Sequence, residues 1–157
     1  LTIRPATPAD LPLIAALVRE LAEYERLAHA AIATERDFEA ALFGPQPKAY
    51  GLIVEHEGQP AGFAIYFYNF STFLGRPGIY VEDVFIRPEF RRNGYGLAVF
   101  QYLARKAVDE NCGRMEWSVL DWNEPAIRFY AGLGAVAMDG WTTQRLAGDA
   151  LAALANT

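Results

Sequence analysis

One short run, Arg91-Arg92-Asn93-Gly94-Tyr95-Gly96, has the residue types and spacing of a loop that holds a phosphate. Glycine lets the backbone turn sharply and come close to a ligand, so that main-chain N–H groups converge on an anion. The run follows a β-rich stretch, Val84-Phe85-Ile86, and precedes a helical pattern whose positive N-terminal end adds to the attraction. A pyrophosphate suits this pairing. A Walker loop is excluded, because no Gly-Lys-Ser/Thr triplet occurs. A dinucleotide fingerprint is excluded as well, since Val99 stands where its third glycine belongs. Arg91, Gly94 and Gly96 do fill the pattern Arg/Gln-x-x-Gly-x-Gly/Ala. The alternative is a plain helix-initiating turn, against which the strand before and the helix after both weigh.

Other side chains able to do chemistry are few. Glu82 and Asp83 are adjacent on the strand upstream of the loop, and strand alternation sends them to opposite faces. Only one of the pair can serve a given site. Tyr130 follows the turn Asn123-Glu124-Pro125-Ala126, in which Asn123 is either a ligand contact or a helix cap. His29, His56 and Cys112 have no spacing that suits a metal or a nucleophile–base set, so they read as structural or surface residues and no metal is expected.

The elements that must position these residues follow from periodicity and punctuation. Residues 2–5 read as a strand. Thr7-Pro8-Ala9-Asp10 has the form of a capping box, and Leu11, Ile14, Val18, Leu21 and Ala22 follow as one apolar helical stripe. Thr34-Glu35-Arg36-Asp37 opens a shorter helix that ends near Gly44-Pro45. Tyr50–His56 and Ala61–Tyr68 form a hairpin, and Ile79–Ile86 is a further strand. The loop feeds a helix from about Gly94 to Asn111. Met115–Leu120 is expected as a strand and Pro125–Leu133 as a helix. Ala135–Met138 and Trp141–Leu146 are expected as two last strands around Asp139-Gly140, with a short helix at Asp149–Ala155. The order β-α-α-β-β-β-α-β-α-β-β implies an α/β (α+β) class, a mixed sheet with helices on both faces.

Composition narrows the partners. The chain has 157 residues, fits one domain over 1–157, and is 52% hydrophobic and 21% charged, which is ordinary for a packed protein and wrong for a disordered one. Nineteen acidic against 14 basic residues give a net charge of −5, which disfavours nucleic acid and favours a cationic small molecule. No apolar run nears the roughly 18 residues of a membrane span, and the first residues lack the basic head and apolar stretch of a signal peptide. A single cysteine fits a reducing compartment, so the cytoplasm is expected.

Beyond the loop, the sequence resembles the spermidine/spermine (diamine) and thialysine acetyltransferase branch of the GNAT superfamily over nearly its whole length. The resemblance is carried by Ile3-Arg4-Pro5-Ala6-Thr7, Glu20-Leu21-Ala22-Glu23-Tyr24-Glu25, Gly62-Phe63-Ala64 and Tyr80-Val81-Glu82-Asp83-Val84-Phe85. The Arg91 loop and Trp122-Asn123-Glu124-Pro125 followed by Phe129-Tyr130 continue it. It implies a mostly antiparallel sheet, splayed where acetyl-CoA lies, and a homodimer. Val84, Phe85 and Ile86 would bond the pantetheine arm through their backbones, and Arg91, Arg92, Asn93, Gly94, Tyr95, Gly96 and Leu97 would hold the pyrophosphate. Asn123, Glu124, Pro125 and Ala126 would touch CoA again. Tyr130 would protonate the departing thiolate, and Glu82 would hold the amine and take its proton. Tyr24, Glu25, Glu82 and Asp139 would contact the acceptor. The loop between Ala135 and Trp141 is shorter than in the mammalian polyamine enzymes, which bears on the reach of Asp139. The implied activity is acetyl transfer to a small cationic amine. Transfer to a protein or amino-acid amine, or a non-catalytic acyl-CoA sensor, remain as alternatives.

Overall fold

The computed structural model describes residues 1–157, which fall into two compact units, Leu1–Ser118 and Val119–Thr157. The first unit runs β1 (Thr2–Pro5), α1 (Leu11–Tyr24), α2 (Glu35–Phe43), β2 (Tyr50–His56), β3 (Gln59–Ser71), β4 (Arg76–Ile86), α3 (Tyr95–Asp109) and β5 (Met115–Glu116). Its sheet is five-stranded in the order β1-β2-β3-β4-β5. The first three pairings are antiparallel, and β4 with β5 is parallel. The parallel pair needs a crossover, and α3 provides it.

Local chemistry explains where the helices start. The Asp10 carboxylate accepts from the Thr7 backbone N–H at 2.8 Å and from both Arg4 terminal nitrogens at 2.8 and 2.9 Å. One acid therefore caps the entrance to α1 and ties it to β1. At α2, Thr34 and Asp37 close a reciprocal capping box. Ile14, Leu17 and Leu21 of α1 and Leu42 of α2 then pack on Ile53, Phe63, Ile65 and Phe85 from one sheet face. Tyr95, Val99, Leu103 and Ala107 of α3 cover Leu52, Val54, Ala64, Tyr66, Ile79 and Val81 on the other. Each Val, Leu, Ile or Phe among them contributes roughly 1.5–3 kcal/mol when fully buried, so these two layers fix the sheet between them. At Gly62 β3 and β4 come so close that an added Cβ would sit 2.2 Å from the Phe85 carbonyl oxygen.

Two departures from regular pairing shape the centre of the sheet. Between Ile65 and Tyr66 the register jumps from Asp83 to Val81, so Glu82 is an extra, bulged residue. Val81 and Val84 thus serve the α3 core, while Asp83 lies on the α1 face with Phe85. The second departure is at β5, which pairs only through Ile79–Met115 and Tyr80–Glu116. The strand expected over Met115–Leu120 is therefore short, and β4 past Tyr80 has no ladder on its β5 side. That divergence is the expected splay.

The second unit holds α4 (Glu124–Gly132) and α5 (Gly148–Ala155). Asn123 caps α4, its Oδ1 accepting from the Ala126 N–H at 3.3 Å. The strands expected at Ala135–Met138 and Trp141–Leu146 do not form: a turn sits at 139–140 and the flanking chain joins no ladder. A strand exists by pairing, and a β-rich run without a partner stays extended chain. Val136 and Trp141 are 79% and 80% exposed.

Candidate active site

The loop between β4 and α3 begins as a short 3-10 turn, Pro88–Phe90, and reverses direction through two left-handed residues, Arg92 (φ 65°) and Gly94 (φ 74°). Gly94 adopts this conformation freely, whereas Arg92 does so against the usual preference of a side chain. The Asn93 amide donates to the Phe90 carbonyl oxygen at 2.9 Å and braces the turn. The bond from the Ala98 N–H to the Gly94 carbonyl opens α3, so the N–H groups of Tyr95, Gly96 and Leu97 precede the helical ladder. With the helix dipole and the exposed Arg92 beside them, these donors fit a diphosphate.

Below the loop, Tyr95 is buried and its hydroxyl is hydrogen-bonded to Nδ1 of His56 at the end of β2. Sequence reasoning gave His56 no part in this. Arg91 turns the other way. Its Nε donates to the Ile86 carbonyl at 2.8 Å, and its guanidinium lies 5.0 Å from the Tyr24 ring centroid and 5.5 Å from that of Phe85. The Tyr24 and Phe85 rings are themselves 6.4 Å apart. Arg91 thus joins the β4–α3 loop, the last residue of α1 and the part of β4 beyond the β5 ladder. Val84 and Ile86 direct their side chains into the α3 core and Phe85 into the α1 core. On their β5 side this stretch of β4 has no ladder, and the Ile86 carbonyl accepts from Arg91.

An acidic corner lies at the same end of α1. Glu82, on the bulge, is exposed, while Asp83 on the α1 face is largely enclosed. Burial first, then the charges of Glu82 and Glu25, push the Asp83 carboxyl up to about 7. Glu25, directly after α1, is also raised by burial. The expected Tyr24, Glu25 and Glu82 therefore share a corner with Asp83, an acid that alternation had set on the other face from Glu82. The bulge at Glu82 interrupts the alternation on which that separation rested; sequence missed both the bulge and that Asp83 is the more enclosed member.

The other expected residues belong to the second unit. Tyr130 is half-buried on α4, its ring 5.5 Å from that of Phe129. Glu124, Pro125 and Ala126 form the first turn of α4 beneath the Asn123 cap, and Asp139 is exposed in the turn before Gly140. His29 lies on a short surface turn, and burial raises the Cys112 thiol. No three His, Cys, Asp or Glu side chains gather as a metal would need.

A mixed, mostly antiparallel sheet with helices on both faces and a glycine loop opening α3 defines the class of fold in which the chain falls. The model of the acetyltransferase (GNAT) family matches residues 14–135, and the chain belongs to that family. It is 36% identical to the thialysine N-epsilon-acetyltransferase of Bos taurus over 98% of this chain and 96% of that protein. It is 32% identical to an L-ornithine N5-acetyltransferase of Arabidopsis thaliana over 97% and 86%. Among solved structures, an integron cassette protein from the mobile metagenome of V. cholerae superposes with a TM-score of 0.83 at 25% identity, covering 99% and 98% of the two chains. No helix is long and apolar enough to cross a membrane.

Proposed function

We propose that this protein is an acetyl-CoA-dependent N-acetyltransferase that acts by direct transfer on a primary amine of a small cationic molecule, a polyamine, diamine or thialysine-like compound. The observation that carries the reading is the meeting, through Arg91, of the phosphate loop with the acidic corner of Tyr24, Glu25, Glu82 and Asp83. An anion-holding and a cation-holding surface then adjoin one open strand edge. The two units act in this reading as a single domain.

The loop residues Arg91 to Leu97 hold the diphosphate, the open edge of Val84–Ile86 bonds the pantetheine arm, and the Asn123–Ala126 turn adds a further contact. Acetyl-CoA supplies an activated thioester. At pH 7 only about one alkyl amine in a thousand is neutral, so the ammonium must lose a proton before attack. Glu82 on its bulge takes that proton through water. The nitrogen lone pair then bonds to the thioester carbon, and the C–S bond breaks with its electron pair on sulfur. Tyr130 donates its proton to that thiolate, and the extra proton on the new amide nitrogen passes through water to the Tyr130 phenolate and restores it. Tyr24, Glu25 and Asp139 orient the cation. No acyl-enzyme is invoked, and Cys112, with its thiol raised, is a poor nucleophile at neutral pH. We further propose a cytoplasmic homodimer, the single cysteine supporting the compartment.

Relatives favour a second reading: the L-ornithine enzyme supports an amino-acid side-chain amine as acceptor. CoA release with acetyl-CoA across spermidine, spermine, putrescine, thialysine, ornithine, lysine and a lysine peptide decides between them. Turnover on free cations supports the first reading, and turnover confined to amino acids or peptides the second. Binding of acetyl-CoA without turnover on any acceptor replaces both with a non-catalytic sensor.

A further inference from the structure

Tyr95, the first residue of α3, sends its phenol into the core instead of toward a ligand, and is 8% exposed. The partner waiting there is His56. Alternation along β2 places Leu52, Val54 and His56 on the face that α3 covers. The His56 Nδ1 is hydrogen-bonded to the Tyr95 hydroxyl, and the same ring lies 5.8 Å from the Tyr95 ring and 5.3 Å from that of Phe90. Phe90 closes the 3-10 turn that starts the loop, and Tyr95 is the residue on which the loop ends. One imidazole therefore grips both ends of the segment 91–94, whose residues are themselves exposed. The nearest charge on its own strand turn is Glu57, 3.9 Å from Nε2. Neutral imidazole accepts from the phenol, and protonated imidazole donates to it, so the link persists in either form.

We propose that His56 is a positioning residue for the phosphate loop. Acting through Tyr95 and Phe90, it holds the N–H groups of Tyr95, Gly96 and Leu97 in the orientation that binds a diphosphate. The inference rests on the reading of this loop as the acetyl-CoA diphosphate site. His56 touches no substrate in this scheme; its effect belongs to cosubstrate affinity and not to the chemical step.

The test is the Kd of CoA by calorimetry for wild type, His56→Phe, His56→Gln, Tyr95→Phe and the double His56→Phe/Tyr95→Phe, together with hydrogen exchange of the ligand-free protein. His56→Phe and Tyr95→Phe should each weaken CoA about five- to tenfold, the effect of one neutral hydrogen bond. The double variant should lose no more than either single, because both break one link. His56→Gln, which keeps a bonding side chain, should recover most of the affinity. With saturating acetyl-CoA, kcat of His56→Phe should stay within about twofold, while the amides of 91–97 exchange faster. An unchanged Kd with unchanged loop exchange, or losses that add in the double variant, overturns the proposal. If the wild type itself binds no CoA, the functional reading fails instead, and loop exchange in His56→Phe and His56→Gln alone decides whether His56 holds the loop.

Discussion

Asp83 shows how far one side chain departs from its type. A carboxyl raised from 3.8 to about 7 by burial and by Glu82 and Glu25 keeps its proton in the folded state where an unfolded chain would release it. The folded protein then binds more protons than the unfolded one between those two values, so this residue lowers stability as pH rises from about 4 to about 7. Asp83→Asn should therefore be more stable than wild type at pH 8, by on the order of 1–3 kcal/mol, with the gap closing toward pH 4 in thermal melts. Tyr130→Phe belongs to the same scale. It should lower kcat at least a hundredfold and leave the Kd of CoA within about twofold; an unchanged rate would remove Tyr130 from the mechanism. The loop was legible because glycine spacing is a local property; the placing of the acid pair was not, because the bulge at Glu82 breaks the alternation that the local sequence implies. The contact between His56 and Tyr95 was not, because it joins residues 39 apart in sequence and only the packing of α3 on β2 creates it.

Elements were legible where a cap or a stripe announces them, as at Thr7-Pro8-Ala9-Asp10 and Thr34-Glu35-Arg36-Asp37, and both helices begin there. Strands were legible where a neighbour supplies a ladder. Thus β2, β3 and β4 formed, β5 stopped after two pairs, and 135–138 and 141–146 stayed unpaired. No local pattern encodes the presence of a partner strand. The junction of β1 and α1 offers a test. Arg4 and the Thr7 backbone hold the Asp10 carboxyl down to about 2, so its contribution is complete above the unfolded value near 3.8 and is lost as pH falls through about 2. Asp10→Asn should cost about 1–2 kcal/mol at pH 7 in denaturant unfolding, and the difference should fade below pH 3. At the start of α3, Gly94 (φ 74°) tolerates no side chain cheaply although the space beside it is open. Gly94→Ala should cost about 1 kcal/mol of stability and weaken CoA by more than that strain alone accounts for, read in parallel by melts and calorimetry.

For the whole molecule, a net charge of −5 sits well with a cationic acceptor, and the acids that matter are gathered at one corner. Salt should therefore raise KM for a doubly charged amine more than for a singly charged one, with kcat unchanged; equal sensitivity would remove the acidic corner from acceptor binding. The division of the chain into two compact units has a further, optical consequence. Of the three tryptophans, Trp117 lies in the first unit with its ring 4.8 Å from Phe100, whereas Trp122 and Trp141 lie in the second, 44% and 80% exposed. An enclosed indole emits at shorter wavelength than a hydrated one, so the two units differ in colour without any dye. A chain that melts as one body would shift blue-edge and red-edge emission at the same temperature, and one whose halves let go separately would change hue before it changes brightness.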